Sequence, residues 1–384
     1  MTDATTPPGT GTRYTPTAFA PDASTAVSPP AADGIDVLGV DDAEANLFRA
    51  NEIGEEAVAV AHPNIALVKY WGKRDESFFL PVTGSLSMTL DIYPTTTTVR
   101  LIDGPADVVV LNGYRAAGPA HARVERFLDL VRARARRAEH ALVISTNTGP
   151  TGAGLASSAS GFAALAAAAS ACYGLDEGAR GLSRLARRGS GSACRSVFGG
   201  FVVWHAGDGF GEAGDLSSYA EPIDGDALDP ALVVAVVDTA SKAVSSREAM
   251  RRTCATSPLY RSWAESSASD LHEMRKAIAR RDLPAVGEIA ERNALGMHAT
   301  MLAAKPSIRY LSPGSVTILD RVLALRDDGV AAYATIDAGP NVTVLCARAD
   351  AHRVDAALRE VGDFAETHTA HLGPGAAVVR GGDR

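Results

Sequence analysis

A stretch rich in glycine and hydroxyl groups, N-T-G-P-T-G-A-G-L-A-S-S-A-S (residues 147–160), runs straight into an alanine-rich apolar segment at residues 161–173. Its glycines allow successive backbone N–H groups to point at one anion, which a helix N-terminus also attracts. Ser157 and Ser158 add hydroxyls for phosphate oxygens or a metal ion. The lysine of a Walker loop is absent. The pattern therefore predicts a phosphate-binding loop without its own lysine, or else a glycine turn with a serine-rich helix cap.

Lysine is rare in this chain, which has only five among its 37 basic residues. Lys69 and Lys73 both lie in K-Y-W-G-K, and Lys242 lies in S-K-A-V-S-S-R. Lysine is a compact cation whose pKa shifts readily, whereas arginine is larger and stays charged. Unless the clustering is chance, the pattern indicates that these lysines are kept for chemistry.

Composition narrows the class of protein. The chain has 384 residues, of which 46% are hydrophobic, and a net charge of −8, so we expect a globular protein without a nucleic-acid-binding surface. The longest apolar run is too short to span a bilayer, and we expect no export signal. The four cysteines are scattered without metal-ligand spacing, which favours reduced thiols and a cytoplasmic location.

The pattern along the chain predicts a disordered extension followed by two domains. Residues 1–54 contain Pro-Pro twice and few large apolar residues, so they cannot offset the entropy of ordering. We assign 55–228 to an N-terminal domain and 229–384 to a C-terminal domain. Strand patterns at 96–102, 142–146 and 342–347, and helix patterns at 266–280 and 283–302, intermix without regular alternation. The predicted fold class is α+β.

Five motifs, taken together, are more specific than any one alone. In chain order they are H-P-N-I-A-L-V-K-Y-W-G-K-R-D (62–75), P-T-G-A-G-L-A-S-S-A-S-G (150–161), S-G-S-A-C-R-S (190–196), S-S-R-E-A-M (245–250) and D-A-G-P-N (337–341). From about residue 57 to about residue 348, this series resembles the diphosphomevalonate decarboxylase family of the GHMP kinase superfamily. The resemblance implies an N-terminal domain like domain 2 of ribosomal protein S5 and a ferredoxin-like C-terminal domain, with the active site between them.

The resemblance also implies a reaction. ATP and mevalonate 5-diphosphate would give ADP, phosphate, carbon dioxide and isopentenyl diphosphate, with Mg²⁺ as the metal and a homodimer as the assembly. Asp337 matches the catalytic aspartate, Arg195 the residue that grips the substrate carboxylate, and Lys69 a lysine near the reacting hydroxyl. The other substrate-binding residues that it implies are Asn64, Tyr70, Lys73, Ser190, Ser192, Ser245, Ser246 and Arg247.

The nucleotide site implied by the resemblance is the glycine-serine loop together with one further serine. Its residues are Pro150, Gly152, Gly154, Leu155, Ala156, Ser157, Ser158 and Ser85. Ser157 is the predicted metal ligand.

Three other functions remain open from the sequence. A decarboxylase of mevalonate 5-phosphate would share Asp337, Lys69 and Arg195, although Lys73 and the full S-S-R favour the diphosphate. A small-molecule kinase such as a mevalonate or homoserine kinase would share the serine-rich loop, but the pair S-G-S-A-C-R-S and D-A-G-P-N fits the decarboxylases better. A non-catalytic metabolite sensor would tolerate loss of the acid or of the carboxylate-binding arginine, and both are present.

Overall fold

The strands of the described residues form three sheets and a two-stranded ribbon. The computed structural model describes residues 35–39, 52–149, 157–238, 243–361 and 366–379. All of these belong to one compact unit, Asp33–Arg384. In chain order the strands are β1 (Ile35–Gly39), β2 (Glu52–Ala61), β3 (Asn64–Val68), β4 (Lys73–Asp75), β5 (Leu80–Pro81), β6 (Ser85–Thr89), β7 (Thr95–Ile102), β8 (Val108–Leu111), β9 (Tyr114–Ala116), β10 (His140–Asn147), β11 (Phe201–Trp204), β12 (Ala220–Ile223), β13 (Pro230–Val236), β14 (Tyr333–Ile336), β15 (Val342–Ala347), β16 (Glu366–Ala370) and β17 (Ala377–Val379).

The sheets are mainly antiparallel. The first has the order β1-β9-β8-β10-β7-β2-β17, with β8 and β10 parallel. The second has the order β12-β11-β6-β3 and the third β14-β15-β13-β16, while β4 and β5 form a two-stranded ribbon. Strand β17, from the end of the described chain, returns to the first sheet and pairs antiparallel with β2, Ala377 opposite Val60.

Helices cover the faces of these sheets and intermix with the strands in each half, as the α+β prediction requires. Two short 3-10 turns, at Asp226–Leu228 and Arg348–Asp350, complete the regular structure of the described residues. The helices are α1 (Gly118–Ala135), α2 (Ser157–Cys172), α3 (Gly178–Gly189), α4 (Ala193–Ser196), α5 (Gly211–Ser217), α6 (Ser246–Thr256), α7 (Tyr260–Ala279), α8 (Leu283–Leu302), α9 (Pro313–Asp327) and α10 (Ala351–Arg359).

Helix α2 is the alanine-rich segment that follows the glycine-serine loop. Alanine has the highest helix propensity, and its methyl side chain allows the helix backbone to approach the sheet closely. Accordingly, Ala163, Ala164 and Ala166 are fully buried in one cluster with Val99 of β7. The helix is thereby anchored to the first sheet.

Helices α7 and α8 lie between the second and third sheets. Leu67 of β3 and Leu232 of β13 belong to one buried cluster together with Met274 and Ile289 from these helices. Helices α9 and α10 pack on the opposite face of the third sheet, where Val322 meets Val233. Helix α8 contacts both β3 and β14. The residues that directly follow these two strands therefore lie beside the same helix.

The predicted N-terminal extension includes two described strand segments. Strand β1 pairs antiparallel with β9, Ile35 opposite Ala116, and β2 already begins at Glu52. Residues 35–39, with the sequence I-D-V-L-G, therefore pair through their backbone with a sheet edge, and they are richer in apolar residues than the predicted extension as a whole. Residues 1–34 and 40–51 lie outside the described residues, and their disorder stays a prediction.

None of the helices in the described ranges is long and apolar enough to cross a membrane.

Candidate active site

Lys69 and Asp337 form an ion pair between the two halves of the chain. Lys69 directly follows β3, all five residues of which are buried, and Asp337 directly follows β14. The Lys69 Nζ donates to Asp337 Oδ1 at 2.5 Å and to the Ala66 carbonyl at 2.8 Å. The lysine side chain is 2% exposed and the aspartate side chain 33% exposed. The carboxylate is therefore the member of the pair that a substrate can reach.

Burial controls the charge of this lysine. Desolvation lowers the pKa of Lys69, and the nearby Asp337 carboxylate opposes that shift. Arg195 also acts in the lowering direction, through charge repulsion. The Asp337 carboxylate is thus the group that most opposes the effect of burial on this lysine.

Arg195 lies on the short helix α4 with its guanidinium held by two polar side chains. Its Nε and Nη2 donate to Asn64 Oδ1 at 3.2 and 3.1 Å, and its Nη1 donates to Ser85 Oγ at 2.6 Å. The residue is 2% exposed, and burial lowers its pKa. Within the described ranges, no carboxylate lies within 4.0 Å of this guanidinium. Three of its five N–H groups are used, which leaves two for a ligand.

Asn64 joins Arg195 to the rest of its motif. Its Nδ2 donates to Ser196 Oγ at 2.7 Å and to the Ser192 carbonyl at 3.2 Å. Because the amide nitrogen is committed to these acceptors, the amide oxygen is directed at Arg195. Asn64 therefore orients the arginine. Ser192 directly precedes α4 and contacts Asn64 through its backbone carbonyl.

The S-G-S-A-C-R-S motif also meets the helix that follows the glycine-serine loop. Ser190 Oγ lies 3.2 Å from Ser158 Oγ, at the exposed first turn of α2. A Cβ on Gly191 would lie within 3.0 Å of the Tyr70 hydroxyl, so only glycine fits there. The Tyr70 hydroxyl is buried and has no hydrogen-bond partner among the described residues, and burial raises its pKa. An unpartnered, protonated phenol at this point suits a ligand oxygen.

Lys73, three residues after Tyr70 in the chain, is a second lysine whose side chain is buried. Its side chain is 6% exposed, its Nζ donates to Glu76 Oε2 at 2.6 Å, and it lies 4.4 Å from the centroid of the Phe79 ring. Glu76 is 63% exposed. The carboxylate reaches in from solvent, so an incoming anion can replace it.

The S-S-R motif begins helix α6. Ser245 is the N-cap, its Oγ accepting from the Glu248 backbone N–H at 3.3 Å, and Ser246 and Arg247 form the first turn. Ser245 and Arg247 are exposed and Ser246 is half-buried. The cap accounts structurally for Ser245, whereas Arg247 is free to contact a ligand through its exposed side chain.

Arg123, on α1, was missed by the sequence analysis. Its Nε and Nη2 donate to the Gly189 carbonyl at 3.2 and 3.0 Å, directly before Ser190, and it stacks 4.6 Å from the Phe162 ring centroid. Desolvation, followed by repulsion from Arg247, lowers its pKa to about 10. In an arginine-rich chain no local pattern distinguishes this arginine, because it reaches the site only through tertiary packing.

The predicted nucleotide site is described only in part. Ser157 and Ser158 occupy the exposed first turn of α2. Ser85 lies in β6, fully buried, where it accepts from Arg195. The remaining residues of that prediction lie outside the described residues: Pro150, Gly152, Gly154, Leu155 and Ala156.

Comparison with known proteins identifies the family. Two family models match: a diphosphomevalonate decarboxylase-like N-terminal domain over residues 61–220 and a mevalonate 5-diphosphate decarboxylase C-terminal domain over residues 232–375. The diphosphomevalonate decarboxylase of Homo sapiens is 38% identical over 319 residues, which are 77% of this chain and 78% of the human one. The chain belongs to the diphosphomevalonate decarboxylase family. The resemblance predicted from the five motifs is confirmed.

Solved structures of the diphosphomevalonate decarboxylase family share the fold. The enzyme named MDDEF, in complex with MVAPP, AMPPCP and magnesium, has a TM-score of 0.80 and 43% identity, covering 85% of this chain and 99% of that one. The mevalonate diphosphate decarboxylase from Enterococcus faecalis, studied for ATP binding mediated by mevalonate diphosphate, has a TM-score of 0.79 and 42% identity with the same coverage. The predicted two-domain α+β fold is confirmed.

Proposed function

We propose that this protein catalyses the ATP-dependent decarboxylation of mevalonate 5-diphosphate to isopentenyl diphosphate, with transient phosphorylation of the 3-hydroxyl. The observation that carries the proposal is the Lys69–Asp337 ion pair beside the partly unsatisfied Arg195 guanidinium, in a chain of this family. The named ligands of the relatives support the substrate and the nucleotide.

Asp337 is proposed to accept the proton of the 3-hydroxyl as that oxygen attacks the γ-phosphorus of ATP. Its carboxylate is the accessible member of the pair, and the buried Lys69 holds it in place at 2.5 Å. The lysine also stabilises negative charge that develops on the hydroxyl oxygen. Phosphate then departs from C3 as the carboxylate carbon–carbon bond breaks, and the electron pair of that bond forms the new double bond.

Arg195 is proposed to bind the substrate carboxylate. A planar guanidinium with two free N–H groups suits a bidentate carboxylate contact, which would orient the breaking bond. Asn64 and Ser85 hold the guanidinium from the other side. We therefore assign Ser85 to positioning of Arg195, whereas its predicted contact with the nucleotide stays a prediction.

A cluster of cations and hydroxyls is proposed to bind the diphosphate. The diphosphate would displace only the exposed Glu76 carboxylate from Lys73. Tyr70 offers a hydroxyl that has no hydrogen-bond partner among the described residues. Arg123 and Arg247 lie close enough to repel one another, which an intervening anion would relieve. The serines proposed to complete the cluster are Ser190, Ser192, Ser245 and Ser246.

The glycine-serine loop and the first turn of α2 are proposed to bind ATP. The described residues contain no cluster of three or more His, Cys, Asp or Glu side chains that could hold a metal ion. That composition fits Mg²⁺ held mainly by nucleotide phosphates and water, with the exposed Ser157 hydroxyl as the protein ligand. When bound, Mg²⁺ would neutralise charge on the transferring phosphoryl group.

The deciding experiment measures ATP-dependent release of carbon dioxide and formation of ADP with mevalonate 5-diphosphate and, separately, mevalonate 5-phosphate. We expect turnover with the diphosphate and little with the monophosphate. Replacement of Lys73 by Met should raise KM for the diphosphate and leave KM for ATP unchanged. Preference for the monophosphate would support the alternative decarboxylase, and ADP formation without carbon dioxide would support a kinase.

Two properties beyond the reaction are also proposed. The family resemblance suggests a homodimer, which light scattering of the purified chain would test. The four cysteines are unpaired, and three of them are buried, which suits a reducing compartment such as the cytoplasm. Localisation of the tagged full-length chain would test that assignment.

A further inference from the structure

Helix α8 contacts the backbone of both members of the Lys69–Asp337 pair. Asn293 Oδ1 accepts from the Lys69 backbone N–H at 2.8 Å. His298 lies five residues further along the helix, and its Nε2 is 3.1 Å from the Asp337 carbonyl oxygen. One rigid element thus holds two residues that belong to different sheets and different halves of the chain.

The orientation of the Asn293 amide is fixed by its other contacts. Its Nδ2 donates to Asp270 Oδ2 and to Ser267 Oγ, each at 2.9 Å, both on α7. Asp270 in turn accepts from Arg292 at 2.5 Å. Since the amide nitrogen is committed to these acceptors, the 1%-exposed Asn293 must present its oxygen to Lys69. The amide cannot flip without losing three hydrogen bonds.

The surroundings of His298 fix both its tautomer and its charge. A carbonyl oxygen only accepts, so the ring must carry its proton on Nε2 to donate to Asp337. Burial, and then the positive charge of Lys69, lowers the pKa of His298 to about 4, so the ring is neutral near pH 7. A neutral imidazole also avoids placing a third cation beside Lys69 and Arg195.

We propose that Asn293 and His298 are positioning residues that set the geometry of the Lys69–Asp337 pair from helix α8. Lysine has four rotatable side-chain bonds, so the place of its Nζ depends on a fixed backbone, and Asp337 begins a turn rather than a regular element. A displacement of about 1 Å at reacting groups costs about 10²-fold in rate. This inference rests on the proposed function for its effect on turnover, but its effect on the ion pair is independent of any substrate.

The test compares four single variants of the full-length chain. His298→Leu and Asn293→Ala remove the contacts, and His298→Gln keeps an N–H donor near the position of Nε2. Thr300→Val is the matched control, because Thr300 is equally buried on α8 but its hydroxyl bonds only within the helix, to the Met297 carbonyl.

We expect His298→Leu and Asn293→Ala to lower kcat by about 10- to 100-fold while KM for both substrates changes less than about threefold. As the ion pair lengthens, the lysine and the carboxylate stabilise one another's charge less, so the acid limb of the kcat–pH profile should move to higher pH. His298→Gln should restore both quantities toward wild type. Simple destabilisation would lower the fraction of folded enzyme and leave this limb in place.

The second readout requires no activity. Because the chain has five lysines, labelling with [6-¹³C]lysine gives few signals, and Lys69→Arg assigns the one of interest. The pKa of Lys69 should fall in His298→Leu and Asn293→Ala, since Asp337 no longer offsets its burial, and should be unchanged in Thr300→Val.

An unchanged Lys69 pKa and acid limb in His298→Leu and Asn293→Ala would overturn the inference. An equal loss of kcat in Thr300→Val would overturn it too, since the helix as a whole would then be responsible. Absence of carbon dioxide release by the wild-type enzyme would refute the proposed function, while the lysine titration would still decide whether α8 positions the pair.

Discussion

Lys69 and Asp337 are 268 residues apart in the chain, and their side chains meet at 2.5 Å. The buried lysine follows a strand of the second sheet, and the accessible aspartate follows a strand of the third. Docking of the two sheets on α7 and α8 is therefore a precondition for the site. A change that shifts one sheet against the other should therefore lower activity even where each sheet stays folded.

Asp337→Asn should reduce both ADP formation and carbon dioxide release by about 10²- to 10⁴-fold. The variant keeps the size of the side chain but removes its charge and its capacity to accept a proton from the 3-hydroxyl. Affinities for ATP and for the substrate should change far less, as measured by calorimetry. Normal ADP formation without decarboxylation would place Asp337 outside phosphoryl transfer.

Arg195→Lys should lower kcat/KM for mevalonate 5-diphosphate by about tenfold or more, with ATP binding retained. A lysine ammonium cannot span Asn64 and Ser85 while also presenting two parallel donors to a carboxylate. Ser85→Ala should give a smaller loss in the same parameter, because it removes one support of the guanidinium. A Ser85→Ala variant that is defective only in KM for ATP would restore the predicted nucleotide contact of Ser85.

Glu76→Gln should lower the KM for the diphosphate substrate by a few-fold. In the free protein Glu76 forms an ion pair with Lys73, and the Glu76 side chain is exposed. An ion pair of this type contributes only about 0–1 kcal/mol to stability. The variant should also be inhibited more strongly by inorganic pyrophosphate. Unchanged affinity for both anions would show that Lys73 is not a diphosphate ligand.

The neutral His298 should make the protein lose stability as the pH falls. The pKa of its side chain lies at about 4 in the folded protein against about 6.5 for an ordinary histidine, so the unfolded chain binds more protons between these values. The contribution is complete above about pH 6.5 and is lost as the pH falls toward 4, amounting to at most about 3 kcal/mol. Urea unfolding of wild type and His298→Gln from pH 7 to 4 should show the wild type losing more. Parallel curves would contradict a buried neutral histidine.

Deletion of residues 1–34 should leave turnover and Tm unchanged. Deletion of residues 1–54 also removes β1 and the first three residues of β2, so its Tm should fall by a few degrees, with turnover per folded molecule retained. Differential scanning calorimetry and the carbon dioxide assay measure the two effects. Loss of activity on removing residues 1–34 would show that this segment contributes to the site.

The elements predicted most accurately were those with strong local patterns. Helix 283–302 and strand 342–347 have the predicted bounds, whereas the helix predicted at 266–280 begins at Tyr260. Strands β3 and β6 were not predicted, because both are buried throughout and show no alternation between apolar and polar faces.

The resemblance carried by the motifs grouped Lys69, Arg195 and Asp337 in one site. The structure joins Lys69 to Asp337, although no local signal brings the two together, and the catalytic roles of all three stay a prediction. The sequence could not show that Ser85 contacts Arg195, nor that Arg123 binds the Gly189 carbonyl. Such contacts depend on the packing of distant elements, and a lone serine or one arginine among many carries no pattern of its own. Asn293 and His298 read equally well as ordinary buried helix residues.

The return of β17 to the first sheet has a consequence during synthesis on the ribosome. Strand β2 emerges early, and its free edge stays unpaired until β17 has left the exit tunnel, after the whole third sheet has been made. An unpaired edge strand is a template for association with other chains. The nascent protein therefore carries an open hydrogen-bonding edge while the residues between β2 and β17 are made, a period in which association with other chains would have to be prevented.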